Sequence, residues 1–431
     1  MPHETELIAT IVMSLVLAFA GGFVAIKLRL PPLVGYLLAG VAIGPFTPGY
    51  VGDQHLADQL AEIGVILLMF GVGLHFSLGD LMSVRRVAIP GALGQMAVAT
   101  LLGMAVAALW GWSFGAGLVF GLALSVASTV VLLRALEARA ELDSETGRIA
   151  VGWLIVEDLV MVLALVLLPA LAGVLGGDPR GLAGQVGGGS LAWTLVLTLA
   201  KLALFLVVVL VIGRRVVPWL MGQVARTGSR ELFTLATLAT ALGLAFGSAE
   251  LFGVSFALGA FFAGVILSES ELSHRAAADS LPLQDAFAVL FFVSVGMLFD
   301  PAVLMRQPLA VIIVLLIVLV AKAAAAFAIA RAFRLPTISA LTIAASLAQI
   351  GEFSFILAGL GRVLGLLPPE GASLILAGAL LSITLNPLMF RIAGRLAPAV
   401  PADEIDRVDE LPHVPELRPH HRPAPKAGRQ D

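Results

Sequence analysis

The sequence predicts an all-α polytopic membrane protein, and three observations support this fold class. Of the 431 residues, 59% are hydrophobic and only 13% are charged, a composition that soluble globular domains do not have. The mean hydropathy is +1.01. The apolar runs are about 20 residues long, which suits membrane-spanning helices rather than barrel strands. The chain has no cysteine and a net charge of -3, so thiolate metal sites are excluded and nothing points to nucleic acid.

Thirteen apolar stretches along the chain are candidate membrane spans. The second and ninth are short and rich in Gly and Ala. The first is preceded by acidic rather than basic residues and no small-residue cleavage pattern follows it, so it is interpreted as a helix and not as a signal peptide. The predicted spans are about 7–26, 33–46, 59–78, 87–110, 114–134, 149–175, 191–213, 231–249, 253–268, 282–299, 308–331, 337–361 and 371–394.

Basic residues divide unequally between the two sides of these thirteen spans. One side carries sixteen of them and the other three. Since basic residues concentrate in cytoplasmic connections, the N-terminus is predicted outside and the C-terminus in the cytoplasm, in the cell (inner) membrane. The sixteen are Lys27, Arg29, Arg85, Arg86, Arg134, Arg139, Arg148, Arg214, Arg215, Arg226, Arg230, Arg275, Arg331, Arg334, Arg391 and Arg395; the three are Arg180, Arg306 and Arg362.

An internal repeat relates the two halves of the chain. A shift that places Val72-Gly73 on Val295-Gly296 also superimposes six successive spans of the first half on six of the second. Repeat one then covers about 7–175, repeat two about 231–394, and the seventh span, about 191–213, is a linker helix. Because one helix separates the copies, they enter the membrane from opposite sides, as in inverted-repeat transporters.

The composition changes at the C-terminal end of the chain. Residues 399–431 are rich in Pro, Arg, His and Glu, which predicts a disordered cytoplasmic tail or a linker. The preceding residues, 1–398, are predicted to form one transmembrane domain.

Two adjacent carboxylates, Glu157 and Asp158, interrupt the apolar run of the sixth span in the stretch VGWLIVEDLV. An ionised carboxylate at this depth costs roughly 3 kcal/mol or more, so it marks a functional site unless it is locked in a permanent salt bridge. Neighbouring residues of a helix point about 100° apart. One carboxylate is therefore predicted to face an ion site and the other a neighbouring helix.

Polar and small residues interrupt the fifth and twelfth spans at corresponding places. Ser125, Ser128 and Thr129 lie in SVAST, and the repeat places the last two on Gly351-Glu352 in SLAQIGEFSF. Two interrupted helices that cross in mid-membrane are the usual sequence indication of a transport site. Glu352 is predicted to offset the positive ends of the half-helices. The alternative is that the hydroxyls only bond helix backbone and Glu352 lies at a wet interface.

Lys322 is the second charge deep in the membrane, in LVAKAAAAFA of the eleventh span. An ammonium group there requires a carboxylate, and Glu157 or Asp158 is the expected partner.

The secondary candidates for the transport site are Ser125, Gln349, His75 and Lys201. His75 is as compatible with packing as with proton transfer. Lys201, in the linker helix, can extend to the lipid headgroups instead of taking part in transport.

Several motifs together resemble a known family, the monovalent cation:proton antiporter-2 group, and within it the Kef-type potassium efflux proteins of the YbaL-like branch. The similarity covers about residues 7–396. The motifs are PPLVGYLLAGVAIGP, EIGVILLMFGVGLHF, SVASTVVLLRALE, GWLIVEDLVMV, LGAFFAGVILSES, FFVSVGM and IGEFSFILAGLG.

This resemblance implies an NhaA-like antiporter fold with thirteen helices, a dimerisation domain and a mobile core, and homodimers in the lipid membrane. It implies that Asp158 carries cation and proton alternately and that Lys322 pairs with the acidic site. The position before Asp158 is Gln in typical Kef proteins, so Glu157 is a departure that leaves the ion-to-proton ratio open. A nucleotide-binding regulatory domain usually follows in Kef proteins, and no strand-GxGxxG-helix pattern occurs after residue 396.

The expected function is exchange of a monovalent cation, K⁺ before Na⁺, for H⁺ across the membrane by alternating access, with residues 1–398 as the exchange domain. Ser128, Thr129, Asp158 and Glu157 are the expected ion and proton ligands. Neither an enzymatic activity nor a cofactor is expected, and no metal beyond the transported cation. A gated cation channel and, less favoured, a non-transporting sensor or scaffold are the alternatives.

Overall fold

The computed structural model describes residues 6–75, 78–142, 144–177, 200–201, 203–270 and 272–397. Within these ranges the chain is helical and contains no strand, so the predicted all-α class is confirmed. The predicted tail at 399–431 and residues 191–199 of the predicted linker helix lie outside them.

Fifteen helices, labelled in chain order, build the described part of the chain. The bounds are α1 Glu6–Lys27, α2 Pro32–Ile43, α3 Gln54–His75, α4 Leu78–Leu109, α5 Phe114–Ser125, α6 Thr129–Glu137, α7 Glu145–Leu171, α8 Ala203–Arg226, α9 Arg230–Phe252, α10 Phe256–Ser268, α11 Ser273–Met297, α12 Pro308–Ala332, α13 Thr337–Leu347, α14 Glu352–Val363 and α15 Pro369–Leu396. A single turn, Val303–Arg306, precedes α12.

Eleven segments of the described chain are long and apolar enough to cross a membrane, when α5–α6 and α13–α14 each count as one. Two shorter apolar helices, α2 and α10, coincide with the second and ninth predicted spans. The count of thirteen crossings stays a prediction.

The helix boundaries differ from the predicted spans mainly at polar ends. α4 begins at Leu78 and α11 at Ser273, nine residues before the predicted starts, and α8 continues to Arg226 instead of ending at 213. The reason is that hydropathy detects only the apolar part of a helix, whereas backbone hydrogen bonds continue into polar turns at the interface.

The helices pack as two bundles. One contains α1, α2, α3 and α8–α11, and the other contains α4–α7 and α12–α15. In the first bundle, a Cβ atom on Gly40 of α2 would lie 2.0 Å from the Val293 carbonyl oxygen of α11, and one on Gly73 of α3 would lie 2.1 Å from that of Phe261 in α10. Small residues thus let these helix pairs approach backbone to backbone.

The second bundle contains both interrupted helices. Residues 126–128 separate α5 from α6, and residues 348–351 separate α13 from α14. Ser128 caps α6 by accepting a hydrogen bond from the Val131 N–H at 3.4 Å. Helix α12 contains a wide π-helical turn over Leu316–Lys322, a distortion that often occurs at functional positions.

Candidate functional site

The two interruptions cross and bond to each other. The Gly351 N–H donates to the Val126 carbonyl oxygen at 3.1 Å. A Cβ atom at position 351 would lie 2.3 Å from the Ala127 carbonyl oxygen, which is far inside van der Waals contact. Glycine is therefore required at this crossing point.

Gln349 joins the two interruptions through both ends of its amide. Its Oε1 accepts from the Ser128 N–H at 2.8 Å, and its Nε2 donates to the Ser128 carbonyl oxygen at 3.1 Å. The side chain is fully buried. Backbone groups that a helix would satisfy are thus satisfied by one side chain from the other interruption.

Glu157 and Asp158 of α7 contact different groups. The Glu157 Oε2 accepts from the Ala127 N–H at 2.8 Å, and the Asp158 Oδ2 accepts from the Thr129 hydroxyl at 3.3 Å. Both carboxylates are buried, and their other oxygens have no hydrogen-bond partner among the described residues. Glu157 thus bonds the interrupted backbone, whereas Asp158 bonds a side-chain hydroxyl.

Lys322 is fully buried and its ammonium group donates to the Gln349 carbonyl oxygen at 3.0 Å. The ion pairs of the described residues do not include it, although the charge of Glu157 acts on it. The direct carboxylate contact that the sequence suggested is thus replaced by a backbone carbonyl, because the interruption leaves that carbonyl without a helical partner.

Glu352 is the first residue of α14 and is buried. Its carboxylate interacts with the Ser128 hydroxyl, and one of its oxygens has no partner in the described part of the chain. A negative charge at a helix N-terminus is favourable, and the compensation of half-helix ends by Glu352 stays a prediction.

Side chains of the crossing border a cavity of about 1070 Å³. Thr129, Asp158 and Glu352 are among its lining residues, and Glu157 and Lys322 are not. Two buried carboxylates of the crossing, Asp158 and Glu352, therefore border the cavity, whereas the third, Glu157, does not.

Two further buried amides, Gln95 and Asn386, hold the half-helix ends. Gln95 of α4 donates to the Ser125 carbonyl oxygen at 2.9 Å and accepts from the Trp153 indole at 3.3 Å. Asn386 of α15 donates to the Ala345 carbonyl oxygen at 2.9 Å. Each is a buried amide in an apolar run, and that isolation is the sequence signal that indicates them.

The remaining candidates lie away from the cavity or outside the described side chains. The Ser125 hydroxyl bonds the Leu122 carbonyl of its own helix at 2.7 Å, which matches the alternative reading of this residue. Lys201 is half-buried just before α8. His75 ends α3, and its side chain is outside the described part. The described residues contain no group of three or more His, Cys, Asp or Glu side chains that would hold a metal.

Comparison with known proteins agrees with this architecture. Residues 13–395 match the family profile "Sodium/hydrogen exchanger, transmembrane". The sodium proton antiporter MjNhaP1 from Methanocaldococcus jannaschii superimposes with a TM-score of 0.62 over 90% of this chain and 98% of that chain, at 16% identity. At this identity the match concerns the fold.

Several relatives are similar in sequence over most of the chain. The putative cation/proton antiporter YbaL of Escherichia coli (strain K12) is 65% identical over 91% of this chain and 69% of its own length. The K(+) efflux antiporter 4 of Arabidopsis thaliana is 35% identical over 90% of this chain and 64% of its own. The glutathione-regulated potassium-efflux system protein KefC of Escherichia coli O81 (strain ED1a) is 32% identical, over 91% and 62%.

The chain spans about two thirds of the length of these three relatives, which are transporters and not enzymes. The family profile covers most of the chain, and the identity to the first relative extends over nearly all of the described helices. This chain therefore belongs to the sodium/hydrogen exchanger transmembrane family, as a cation/proton antiporter related to the Kef-type potassium efflux proteins.

Proposed function

We propose that this chain exchanges K⁺ for H⁺ across the cell membrane by alternating access, with Asp158 as the shared ligand. One observation carries the proposal: Asp158 is buried, lines the cavity and has an oxygen without a protein partner among the described residues. The names of the Arabidopsis thaliana antiporter and of KefC support potassium as the ion.

The mechanism is competition for one carboxylate. When deprotonated, Asp158 binds the cation, and the Thr129 hydroxyl and the Glu352 carboxylate supply further hard oxygen atoms on the cavity wall, of the kind that alkali ions accept. When the cation leaves, a proton neutralises Asp158. Because carrying a bare carboxylate through the membrane costs roughly 3 kcal/mol or more, the loaded forms cross more readily than the empty one.

A second group of residues holds the shape of the crossing and does not bind the ion. It consists of Glu157, Lys322 and Gln349. Glu157 holds the Ala127 N–H, and Lys322 holds the Gln349 carbonyl. Their opposite charges balance each other across the interruption, so the crossing keeps its shape while Asp158 changes between cation and proton. Ser128 caps α6 and aligns Thr129 beside Asp158.

Alternating access requires two bodies that move against each other. We assign this movement to the two bundles, with thirteen spans in two inverted six-helix repeats. One pair of corresponding contacts supports the inverted repeats. Gly73 packs closely on Gly264, and Gly296, its equivalent in the second repeat, packs closely on Gly40. The cavity borders Arg134 and Arg391, and the positive-inside rule favours a cytoplasmic position for both, so we infer an inward-facing conformation with the N-terminus outside.

The assembly follows from the same family membership. We propose a homodimer in the lipid membrane, with a cytoplasmic nucleotide-binding regulatory domain as partner, since the relatives are longer than this chain.

The decisive experiment uses purified protein in liposomes loaded with a pH dye at clamped voltage. Addition of K⁺ outside is expected to drive proton movement in the wild type and in Glu157→Gln, and none in Asp158→Asn. A response to Na⁺ and not to K⁺ would contradict the choice of ion. Exchange at the wild-type rate in Asp158→Asn contradicts the role of Asp158. Cation flux without proton movement supports the gated channel.

Competition also predicts a pH dependence. Below the pH at which Asp158 becomes protonated, each further unit of acidification requires about tenfold more cation to compete, because one proton and one cation share the site. The apparent KM for the cation therefore rises as the pH falls, whereas the maximal rate at saturating cation changes less. A KM that is constant over this range would argue for separate sites.

A further inference from the structure

Four arginines border the same cavity as Asp158, and all four side chains are exposed: Arg29, Arg134, Arg139 and Arg391. They come from four places in the chain, namely the turn after α1, helix α6, the connection after α6 and the last turns of α15. The fold thus brings four cationic groups to the border of one cavity, and we call these four residues the arginine mouth. The charge distribution of the sequence does not by itself require this proximity.

These arginines have no carboxylate partner among the described residues. Arg139 packs over the Phe390 ring with its guanidinium carbon 4.3 Å from the ring centroid. The ion pairs of the described chain lie elsewhere, between Arg214 and Glu269, Arg230 or Arg275 and Asp279, and Arg306 and Asp300. Four unneutralised guanidinium groups are an obstacle to an entering cation unless an anion accompanies them.

Much of the cavity wall is formed by apolar side chains. Leu30, Leu33, Leu68, Val130 and Phe292 contribute to it. The carboxylates that face the cavity are Asp158 and Glu352 at the crossing, with the exposed Asp285 on α11. Contact with an apolar wall does not stabilise a hydrated ion, whereas a hydrocarbon chain gains free energy when it is buried there.

We propose that the arginine mouth binds the phosphate of an anionic phospholipid, whose acyl chain lies against the apolar wall of the cavity. Basic pockets between membrane helices on the cytoplasmic side are suited to anionic headgroups, and arginine forms paired hydrogen bonds to phosphate oxygens. The bound phosphate neutralises the mouth. A free anion fits the arginines equally well but leaves the apolar wall wet, so the lipid is the occupant that matches both surfaces.

The test measures lipid binding without reference to transport. Phosphatidylglycerol or phosphatidylcholine is titrated into the detergent-purified protein, and bound lipids are counted by native mass spectrometry. We compare the wild type with an Arg134→Gln/Arg391→Gln variant, because these two side chains make no ion pair or hydrogen bond within the described chain. The control is Arg85→Gln/Arg86→Gln, two exposed arginines of α4 that do not border the cavity.

We expect the wild type to retain phosphatidylglycerol in preference to phosphatidylcholine, and the cavity variant to lose roughly tenfold in affinity for it. The control variant is expected to bind as the wild type does. Equal binding by the two variants, or no preference for the anionic lipid, overturns the proposal. Displacement of the lipid by millimolar inorganic phosphate alone also overturns it, because the site would then recognise a free anion.

Discussion

Both interrupted helices have backbone groups without a helical partner, and side chains of opposite charge bond these groups at the two interruptions. At the α5–α6 interruption, a carboxylate of Glu157 accepts from the free Ala127 N–H. At the α13–α14 interruption, the ammonium group of Lys322 donates to the free Gln349 carbonyl. An interrupted helix leaves both N–H and carbonyl groups unpaired, and a different buried charged side chain bonds the free group at each interruption.

The difference has a consequence for both stability and transport. A buried charge without a partner costs several kcal/mol, so Glu157 and Lys322 are tolerated only because each bonds backbone and acts on the other. Glu157 and Lys322, which hold the crossing, are therefore distinct from Asp158, which borders the cavity. Four substitutions test this division, from the largest expected effect to the smallest.

Gly351→Ala is expected to disrupt the crossing most severely. The added Cβ meets the Ala127 carbonyl oxygen at 2.3 Å and the Ser128 nitrogen at 2.8 Å, and backbone atoms cannot move aside as a side chain can. We expect a loss of roughly 3 kcal/mol or more, measured as a lower thermal unfolding midpoint in detergent. Gly359→Ala, within the following helix α14, is the control, since nothing lies within 4 Å of its added atom. Equal midpoints for both variants would contradict the crossing geometry.

Lys322→Met removes the donor that holds the Gln349 carbonyl. It leaves that carbonyl and the Glu157 charge without compensation, at a cost of roughly 2–4 kcal/mol. The thermal midpoint is again the measurement. Lys201→Met, at a half-buried lysine before α8, provides the control and is expected to change the midpoint little. If both substitutions lower it equally, Lys322 does not stabilise the interruption.

Glu157→Gln and Glu157→Leu separate hydrogen bonding from charge. The amide oxygen of Gln can still accept from the Ala127 N–H, whereas Leu leaves that donor buried and unpaired. The Leu variant is therefore expected to be less stable than the Gln variant by about 1–3 kcal/mol. Comparing their unfolding midpoints checks this, and a Leu variant as stable as the Gln variant would mean that the bond contributes nothing.

Trp153→Phe is expected to have the smallest effect of the four. It keeps an aromatic ring at this buried position, although the outer indole carbons beside Gly91 are lost, and it removes the indole donor to Gln95. We expect a loss of about 1 kcal/mol from this hydrogen bond and little change in exchange rate. Gln95→Leu, which also frees the Ser125 carbonyl, should cost more than Trp153→Phe. The reverse order of unfolding midpoints would show that Gln95 does not hold the end of α5.

Much of the architecture could be predicted from local sequence. Apolar runs of membrane length gave the helical class, and the short second and ninth runs correspond to α2 and α10. The hydroxyl and glycine clusters at Ser128 and Gly351 marked both interruptions. Glu157 and Asp158 were expected to point in different directions because of helix geometry alone, and their separate partners agree with that expectation.

Only the tertiary structure decided which groups meet at the crossing. Gln349 and Ser128 are 221 residues apart in sequence, and Gln95 and Asn386 reach half-helix ends on other helices. Periodicity records which face of a helix is apolar, but not which carbonyl or N–H a distant side chain will find. The sequence by itself determined the helices, their interruptions and the buried charges. The packing of the two halves determined that Lys322 bonds a carbonyl, that Glu157 lies behind the crossing, and that Asp158 faces the cavity.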